Sequence, residues 1–193
     1  MDARPPSAQE RREAAWVAAV RAGDERAFGE VFDAYYARLC AFAAGVVGDD
    51  AREVVLGVFV RVWERRADWE VRHSLRAYLY GATRNHALNH ADRQRRRLAH
   101  ERTMSDDARP TPTTSQTPED DLAHAELAEA VWRAVGRLPE RRRTAFVLHR
   151  QHGLTYAEIA ETMGVAPKTV ENQIGRALEA LRAEIPAELL DRT

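Results

Sequence analysis

Apolar residues recur at helical spacing along almost the whole chain, and this pattern limits the possible folds more than any other feature. In residues 54–63 and 127–138 they return every three or four positions, which is the period of an amphipathic helix. Nowhere does the sequence show the alternation of apolar and polar residues that is typical of a strand. Residues that begin or end helices interrupt the pattern at Gly23-Asp24, Gly48-Asp49-Asp50, Ser74, Pro139 and Gly153. The sequence therefore predicts an all-α protein.

Residues 101–121 separate two parts of the chain that differ in charge. Residues 1–100 carry 17 Arg against 14 Asp and Glu, a net charge of +3, whereas residues 122–193 carry 10 basic and 10 acidic side chains. The segment between them has a net charge of −4, is rich in Pro, Ser and Thr, and has almost no large apolar side chain. Such a segment cannot offset its ordering entropy by burial. We therefore expect two small helical bundles, residues 1–100 and 122–193, joined by a flexible acidic linker.

The sequence predicts a cytoplasmic protein with no membrane contact of its own. Cys40 is the only cysteine, which excludes an intrachain disulfide, and we expect it to act as a small buried hydrophobic residue rather than as a redox sensor. Residues 1–16 are polar and lack the apolar run of a signal peptide. No uncharged apolar run approaches the ~20 residues that span a bilayer.

The stretch GLTYAEIAETMGVAPKTVENQIGRAL, residues 153–178, predicts a helix-turn-helix. Thr155 and Glu158 have the spacing of a capping box at the start of a short helix. Gly164 suits the left-handed residue that ends this helix, and Pro167 suits the first position of the next one. Two short helices joined by a tight turn form the motif.

The second helix of this motif is amphipathic. Its two sides are an apolar stripe, Val170, Ile174, Ala177, Leu178 and Leu181, and a polar face, Lys168, Asn172, Gly175 and Arg176. For an isolated helix the simplest interpretation of the polar face is a solvated surface. The preceding turn, however, is the one that lets a helix N-terminus enter the DNA major groove, where Lys, Arg and Asn read base edges. We therefore expect this face to bind duplex DNA.

Residues 74–97 predict one long helix with a basic end. Along it, aromatic side chains alternate with cationic and amide ones, namely Tyr78, Tyr80, Arg76, Arg84, Asn85 and Asn89, followed by Arg93, Arg95, Arg96 and Arg97. Aromatic rings beside cations suit single-stranded nucleic acid, because bases stack on the rings while phosphates attract the cations. The alternative is a core-packed helix with a basic end, which we expect to hold for Leu79, Ala82 and Leu88.

These segments resemble the extracytoplasmic-function (ECF) sigma factors, which are promoter-specificity subunits of bacterial RNA polymerase. The resemblance rests on GDERAFGEVFDAYYARL, on AREVVLGVFVRVW followed by LRAYLYGATRN, and on LPERRRTAFVLHRQHGLTYAEIAETMGVAPKTVENQIGRALEALR. Each segment alone is a weak signal, but their order and spacing are specific. The resemblance covers nearly the whole chain, with region 2 of the family at about residues 10–100 and region 4 at about residues 122–185.

The resemblance implies promoter recognition without nucleotide hydrolysis. It implies that region 4 reads the −35 element through Lys168, Thr169, Asn172 and Arg176. It implies that region 2 captures an unstacked base of the −10 element, which lowers the cost of opening the duplex. Together with the pattern of residues 74–97, this gives as candidates Trp69, Arg76, Tyr78, Arg84, Asn85, Asn89, Arg93 and Arg96. The implied partners are promoter DNA, the clamp helices of core RNA polymerase and, as in many relatives, an anti-sigma factor.

The chain departs from the family pattern within AREVVLGVFVRVW. The candidate polymerase-binding residues are Glu53, Leu56, Gly57 and Val60. In the family, the positions of Leu56 and Gly57 usually carry a glutamine and an acidic residue that face the clamp. Three interpretations are open: a weaker clamp contact, a Leu56 that packs on a partner surface suited to it, or a drifted patch with polymerase binding kept by other contacts.

Other classes of function fit the sequence less well. His86 and His90 share a helix face, but no Cys, Asp or Glu lies at ligand spacing beside them, so we expect no metal. The sequence has no glycine-rich phosphate loop and no evident nucleophile–base pair, so we expect neither an enzyme nor a cofactor. Two alternatives stay open. One is a helix-turn-helix regulator, which would need an upstream sensory domain, and the other is a sigma-like binding module that does not join core polymerase.

Overall fold

The computed structural model describes residues 7–71, 73–102 and 122–184. All regular secondary structure in these ranges is helical, which confirms the predicted all-α class. The described helices fall into two compact units, one before residue 103 and one after residue 121. Residues 103–121, nearly the whole of the predicted linker, lie outside the described ranges.

The described residues of the first unit form four α-helices, α1 (Ala8–Arg21), α2 (Glu25–Val47), α3 (Ala51–Glu64) and α4 (Leu75–Arg102). Two of them begin where the sequence predicts a helix start. Asp24 accepts a hydrogen bond from the amide of Ala27 at 3.0 Å, and Ser74 accepts one from the amide of Ala77 at 3.2 Å. These caps satisfy backbone donors that have no partner inside the helix.

Aliphatic and aromatic side chains form the core of the first unit. Leu39, Val55 and Leu79 of three different helices are fully buried, and each such side chain contributes about 1.5–3 kcal/mol. The rings of Phe32 on α2 and Phe59 on α3 lie 4.9 Å apart. Cys40 is only half-buried. This packing fixes α3 against α2 and α4, and thereby decides which faces of α3 and α4 remain exposed.

The stretch Glu25–Glu64 is long and apolar enough, by length and composition alone, to cross a membrane. It is not one continuous helix, because the turn at Gly48–Asp50 divides it into α2 and α3. Many of its apolar side chains, Val55 and Phe59 among them, lie in the core of the bundle, whereas Leu56 and Val60 are exposed. A helical hairpin with a shared core therefore accounts for its hydropathy.

The second unit contains α5 (Leu122–Arg137), α6 (Glu140–Arg150), α7 (Tyr156–Met163) and α8 (Pro167–Glu184). Its core includes side chains from α5, α6 and α8 and from the residue that follows α5: Ala134, Val135, Leu138, Phe146, Ala177 and Leu181. Helix α8 is buried along this one stripe, so its opposite side is left for other contacts.

Candidate nucleic-acid and partner interfaces

The turn between α7 and α8 has the predicted helix-turn-helix geometry. Thr155 Oγ1 accepts from the amide of Glu158 at 3.2 Å, while the Glu158 carboxylate accepts from the amide of Thr155 at 2.9 Å. Gly164 ends α7 in the left-handed conformation, with φ 64° and ψ 40°, which glycine adopts without strain. Pro167 is the first residue of α8.

The polar face of α8 is exposed over its whole length. The predicted −35 residues Lys168, Thr169, Asn172 and Arg176 are all exposed. On the opposite side of α8, Val170 and Ile174 are buried, at most 3% exposed. The sequence did not predict that Lys168 donates to Glu171 at 2.9 Å. This pair is open to solvent, with 73% and 54% of the two side chains exposed.

One face of α4 presents amide and guanidinium groups to solvent. Asn85, Asn89, Arg93 and Arg96 follow one another at intervals of three or four residues, which places them on one side of the helix, and all four are exposed. Arg93 is anchored on this face because its Nε donates to the carbonyl of Asn89 at 3.2 Å. Tyr78, two turns before Asn85, is half-buried. These five predicted side chains therefore lie on one side of α4.

Two aromatic residues of the predicted nucleic-acid surface are buried instead. Tyr80 is 1% exposed and lies edge-on to Phe42 at 5.3 Å, and burial raises its pKa to about 12. The prediction that Tyr80 offers a stacking surface is wrong. Trp69 is 3% exposed and contacts Tyr78 edge-on at 5.9 Å. In this conformation Trp69 supports Tyr78 rather than facing a base itself.

The indole of Trp69 has an unusual environment. Its Nε1 is a buried donor with no hydrogen-bond partner among the described residues. A buried donor without a partner costs about 1–3 kcal/mol. The loop that carries Trp69 is therefore held in place by packing rather than by hydrogen bonds from its aromatic side chain.

Arg76 and Arg84 differ from the exposed arginines of α4. Both are half-buried, with their Nε atoms inside the unit, and both interact with neighbouring groups. Arg76 lies close enough to Tyr35 and Tyr80 for its charge to oppose the rise in pKa that burial causes in both phenols. In this conformation their Nε atoms are therefore not available to the −10 element.

A groove of about 320 Å³ lies between α3 and α4. Its lining consists of Arg61, His86, Asn89, Asp92, Arg93 and Arg96. The one acidic residue of the set, Asp92, is paired with Arg95. Arg61 was not among the predicted residues, because nothing in the sequence indicates that α3 contributes a cation beside α4.

Helix α3 exposes an apolar pair. Leu56 is 46% exposed and Val60 is 54% exposed, and their spacing of four residues places them on one face. Glu53, one turn before Leu56, is also exposed. The prediction that Leu56 presents an apolar side chain at the surface is therefore correct.

The space beside Gly57 is filled by His86 of α4. A Cβ atom on Gly57 would lie 2.5 Å from His86 Cε1 and 3.3 Å from Nδ1. The ring is held there because its Nδ1 lies 2.9 Å from the carbonyl oxygen of Val54. From the sequence, we expected Gly57 to be an open surface position that lacks the acidic side chain usual in the family. The structure corrects this, because a larger residue has no room unless His86 moves.

His90 and Gln94 continue the row that His86 begins on α4. His90 Nε2 lies 2.9 Å from Asp50 Oδ2, and Gln94 Nε2 donates to the same oxygen at 2.5 Å. The two histidines that share a helix face therefore bind the start of α3 and the turn before it.

Two family models match the chain. The model described as Sigma-70 region 2 matches residues 31–97, and the model described as Sigma-70, region 4 matches residues 128–181. Both matched ranges lie inside the ranges predicted from the sequence, and together they cover more than half of the chain.

Curated relatives align with nearly the full chain. The ECF RNA polymerase sigma-E factor of Haemophilus influenzae is 28% identical over 184 residues, which are 92% of this chain and 97% of the relative. The ECF RNA polymerase sigma factor SigM of Mycobacterium tuberculosis is 29% identical over 170 residues, which are 87% of this chain and 82% of the relative.

Solved structures share the fold. CnrH in complex with the cytosolic domain of CnrY gives a TM-score of 0.65 at 24% identity and covers 94% of this chain and 98% of that chain. The sigma factor RpoE in complex with the anti-sigma factor NepR from Bartonella quintana gives 0.62 at 23% identity and covers 85% and 96%.

A region 2 match followed by a region 4 match, each on its own helical unit, defines a protein of the sigma-70 class. The curated relatives narrow the class further, since they align over most of their own length. The chain belongs to the ECF sigma factors.

Proposed function

We propose that this chain directs bacterial RNA polymerase to promoters by contacting each promoter at two places, through α8 and through α4. The observation that carries the proposal is the succession of a region 2 and a region 4 on two separate helical units. The chain acts as a transcription initiation factor. The free energy of its binding to the promoter favours opening of the duplex, and no reaction is needed for this.

The polar face of α8 reads the −35 element. The exposure of Thr169, Asn172 and Arg176 beside a buried stripe supports this assignment. A guanidinium donates two hydrogen bonds to guanine, and a carboxamide pairs with adenine in the same way. Lys168 at the start of the helix contributes charge toward the phosphates once it leaves Glu171.

The exposed face of α4 binds the −10 element. Asn85 and Asn89 offer donors and acceptors to base edges, while Arg93 and Arg96 extend the surface with positive charge toward the backbone. Arg61 of α3 faces the same groove and joins this set. Tyr78 provides a partly exposed ring for an unstacked base, and Trp69 supports that ring from behind.

The exposed side of α3 contacts the clamp helices of core polymerase. Apolar side chains left open to solvent at 46% and 54%, as in Leu56 and Val60, are typical of the centre of a protein interface. Glu53 adds a carboxylate at the edge of this surface. An anti-sigma factor is a further proposed partner, by analogy with the RpoE–NepR complex.

A helix-turn-helix regulator without polymerase is the less favoured alternative. Such a regulator would need a sensory domain before its DNA-binding domain, and residues 31–97 match region 2 instead.

The cytoplasmic location proposed for the chain follows from its partner, since core polymerase acts in the cytoplasm.

The test is reconstituted transcription. Purified full-length chain is added to bacterial core polymerase with genomic DNA of the bacterium that encodes it, and the 5′ ends of the transcripts are sequenced. We expect start sites that are absent with core alone and that share one −35 and one −10 element. If the chain binds duplex DNA but neither binds core nor creates start sites, the regulator alternative is correct.

A further inference from the structure

His86 occupies the position where a residue-57 side chain would leave α3. The 2.5 Å approach between a Cβ on Gly57 and His86 Cε1 is closer than real Cβ contacts come. The imidazole of His86 therefore occupies the space that a side chain at residue 57 would need. A substitution at Gly57 would therefore also affect His86, although the two residues belong to different helices.

The hydrogen bond to Val54 fixes how the ring presents its two nitrogens. A backbone carbonyl can only accept, so Nδ1 must carry the proton and donate to it. In the neutral ring Nε2 is then an acceptor. Burial and the nearby charges of Arg61 and Arg93, together with His90, lower the pKa of His86, although the bond to Val54 acts in the opposite direction. Burial therefore favours the neutral form of the ring.

Nε2 of His86 has no hydrogen-bond partner among the described residues. His86 is partly exposed and lines the groove that Arg61 and Asn89 also line. The apolar pair Leu56 and Val60 lies on the same helix as Gly57, directly before and one turn after it. Nε2 thus lies 3.6 Å from the place of a Cβ on Gly57, the residue next to the exposed Leu56.

We propose that His86 replaces the missing residue-57 side chain in the polymerase interface, by presenting Nε2 as an uncharged acceptor to a hydrogen-bond donor of the clamp helices. This inference rests on the proposed contact between α3 and core polymerase. It resolves the departure of this chain from its family, because an acceptor is kept at the position while its negative charge is lost. The contact is consequently less sensitive to salt than an ion pair.

Three substitutions separate this role from a packing role. In His86→Asn, the side-chain amide can still donate to Val54 from the place of Nδ1, but nothing replaces Nε2. His86→Gln instead carries a polar group near the place of Nε2. Gly57→Ala forces the ring out of the space beside residue 57. Gly29→Ala is the matched control, since a Cβ on Gly29 meets nothing within 4 Å.

The measurement is the affinity of each full-length variant for core polymerase, determined by competition with a labelled wild-type chain, alongside its thermal unfolding midpoint. We expect His86→Asn to weaken binding about three- to tenfold, the loss of one interface hydrogen bond, without lowering the midpoint. His86→Gln should regain part of this loss. Gly57→Ala should weaken binding and lower the midpoint, whereas Gly29→Ala should do neither.

The outcomes distinguish the inference from the proposed function. Wild-type affinity in His86→Asn would overturn the inference and leave His86 a packing residue, while the proposed function would stand. A lower midpoint together with weaker binding in His86→Asn would likewise indicate a packing role. A wild-type chain that fails to bind core polymerase at all would overturn the proposed function and the inference together.

Discussion

Gly57 lies in the middle of α3, where a glycine ordinarily lowers helix stability by about 1 kcal/mol relative to alanine. Here the sign should reverse, because alanine would place its Cβ 2.5 Å from His86. We expect Gly57→Ala to lower the free energy of unfolding by about 1–3 kcal/mol, as overpacking does. Urea denaturation of the full chain measures this, and Gly29→Ala serves as control. Equal stability gains in both variants would show that His86 moves aside freely.

His86 should also give the first unit a stability that depends on pH. Its pKa is lowered from its ordinary value of 6.5, first by burial. As the pH falls below 6.5, the unfolded chain takes up a proton that the folded chain does not, so the free energy of unfolding decreases until the folded-state pKa is reached. His86→Asn removes the titrating group. Urea midpoints between pH 7.5 and 5 should therefore fall less in this variant than in the wild type, and parallel curves would contradict the assignment.

Lys168 is held by Glu171 on the proposed DNA-binding face. Both side chains are mostly exposed, so the pair contributes at most about 1 kcal/mol to stability. Glu171→Gln removes a charge that repels phosphate and releases the lysine. We expect the holoenzyme to bind promoter DNA about two- to fivefold more tightly at low salt, with a steeper salt dependence. Weaker binding would instead indicate that Glu171 itself contacts a base, as carboxylates do with cytosine.

The two elements proposed to bind DNA differ in how far the sequence predicts them. The start and end of α7 follow from Thr155, Glu158 and Gly164, and these residues act within a few positions of one another, so spacing alone is enough. In α4, by contrast, Tyr78 and Tyr80 look alike in the sequence. Which of them is exposed depends on Phe42 of another helix, and local patterns carry no information about such contacts.

In helix α3, too, the sequence predicts local features but not contacts with other helices. Its apolar period and the exposure of Leu56 could be predicted, because helical spacing separates a buried from an outer face. The packing of His86 against Gly57 could not be predicted, since the hydrogen bond that holds the ring joins residues 32 positions apart. In the sequence, Gly57 therefore suggested a lost side chain, although His86 occupies the space beside it.

The role of α8 can be tested on one arginine. If Arg176 pairs with a guanine of the −35 element, Arg176→Ala should cost about 1–3 kcal/mol on the cognate promoter and much less once that base pair is changed. Holoenzyme binding to both promoters gives the two values. Arg182→Ala is the control, because Arg182 is exposed on the same helix but in its last turn. An equal loss on both promoters would assign Arg176 to the phosphate backbone.

At the scale of the whole molecule, the proposed function divides promoter recognition between the two units, one for duplex and one for unstacked DNA. The second unit offers the exposed polar face of α8, and the first offers amides on α4 near Tyr78, whose ring contacts Trp69. Contacts made only to an unstacked base favour the open duplex over the closed one, because their free energy is gained after the base leaves the stack. Substitutions in the two units should therefore affect different steps of initiation.

Asn85 and Asn172 make this division testable, since both are exposed asparagines on helices that we propose to bind DNA. Loss of a base contact of about 1.4 kcal/mol lowers an equilibrium constant tenfold. We expect Asn85→Ala to reduce permanganate reactivity of thymines in the −10 element about tenfold on duplex promoters. On a pre-melted template the loss should be small, because no opening is needed and the open complex is favourable without this contact. Asn172→Ala should instead weaken complexes on both templates alike, since the −35 element is duplex in each. Equal losses on both templates in Asn85→Ala would mean that Asn85 acts in general binding, and the proposed capture of a base by α4 would be wrong.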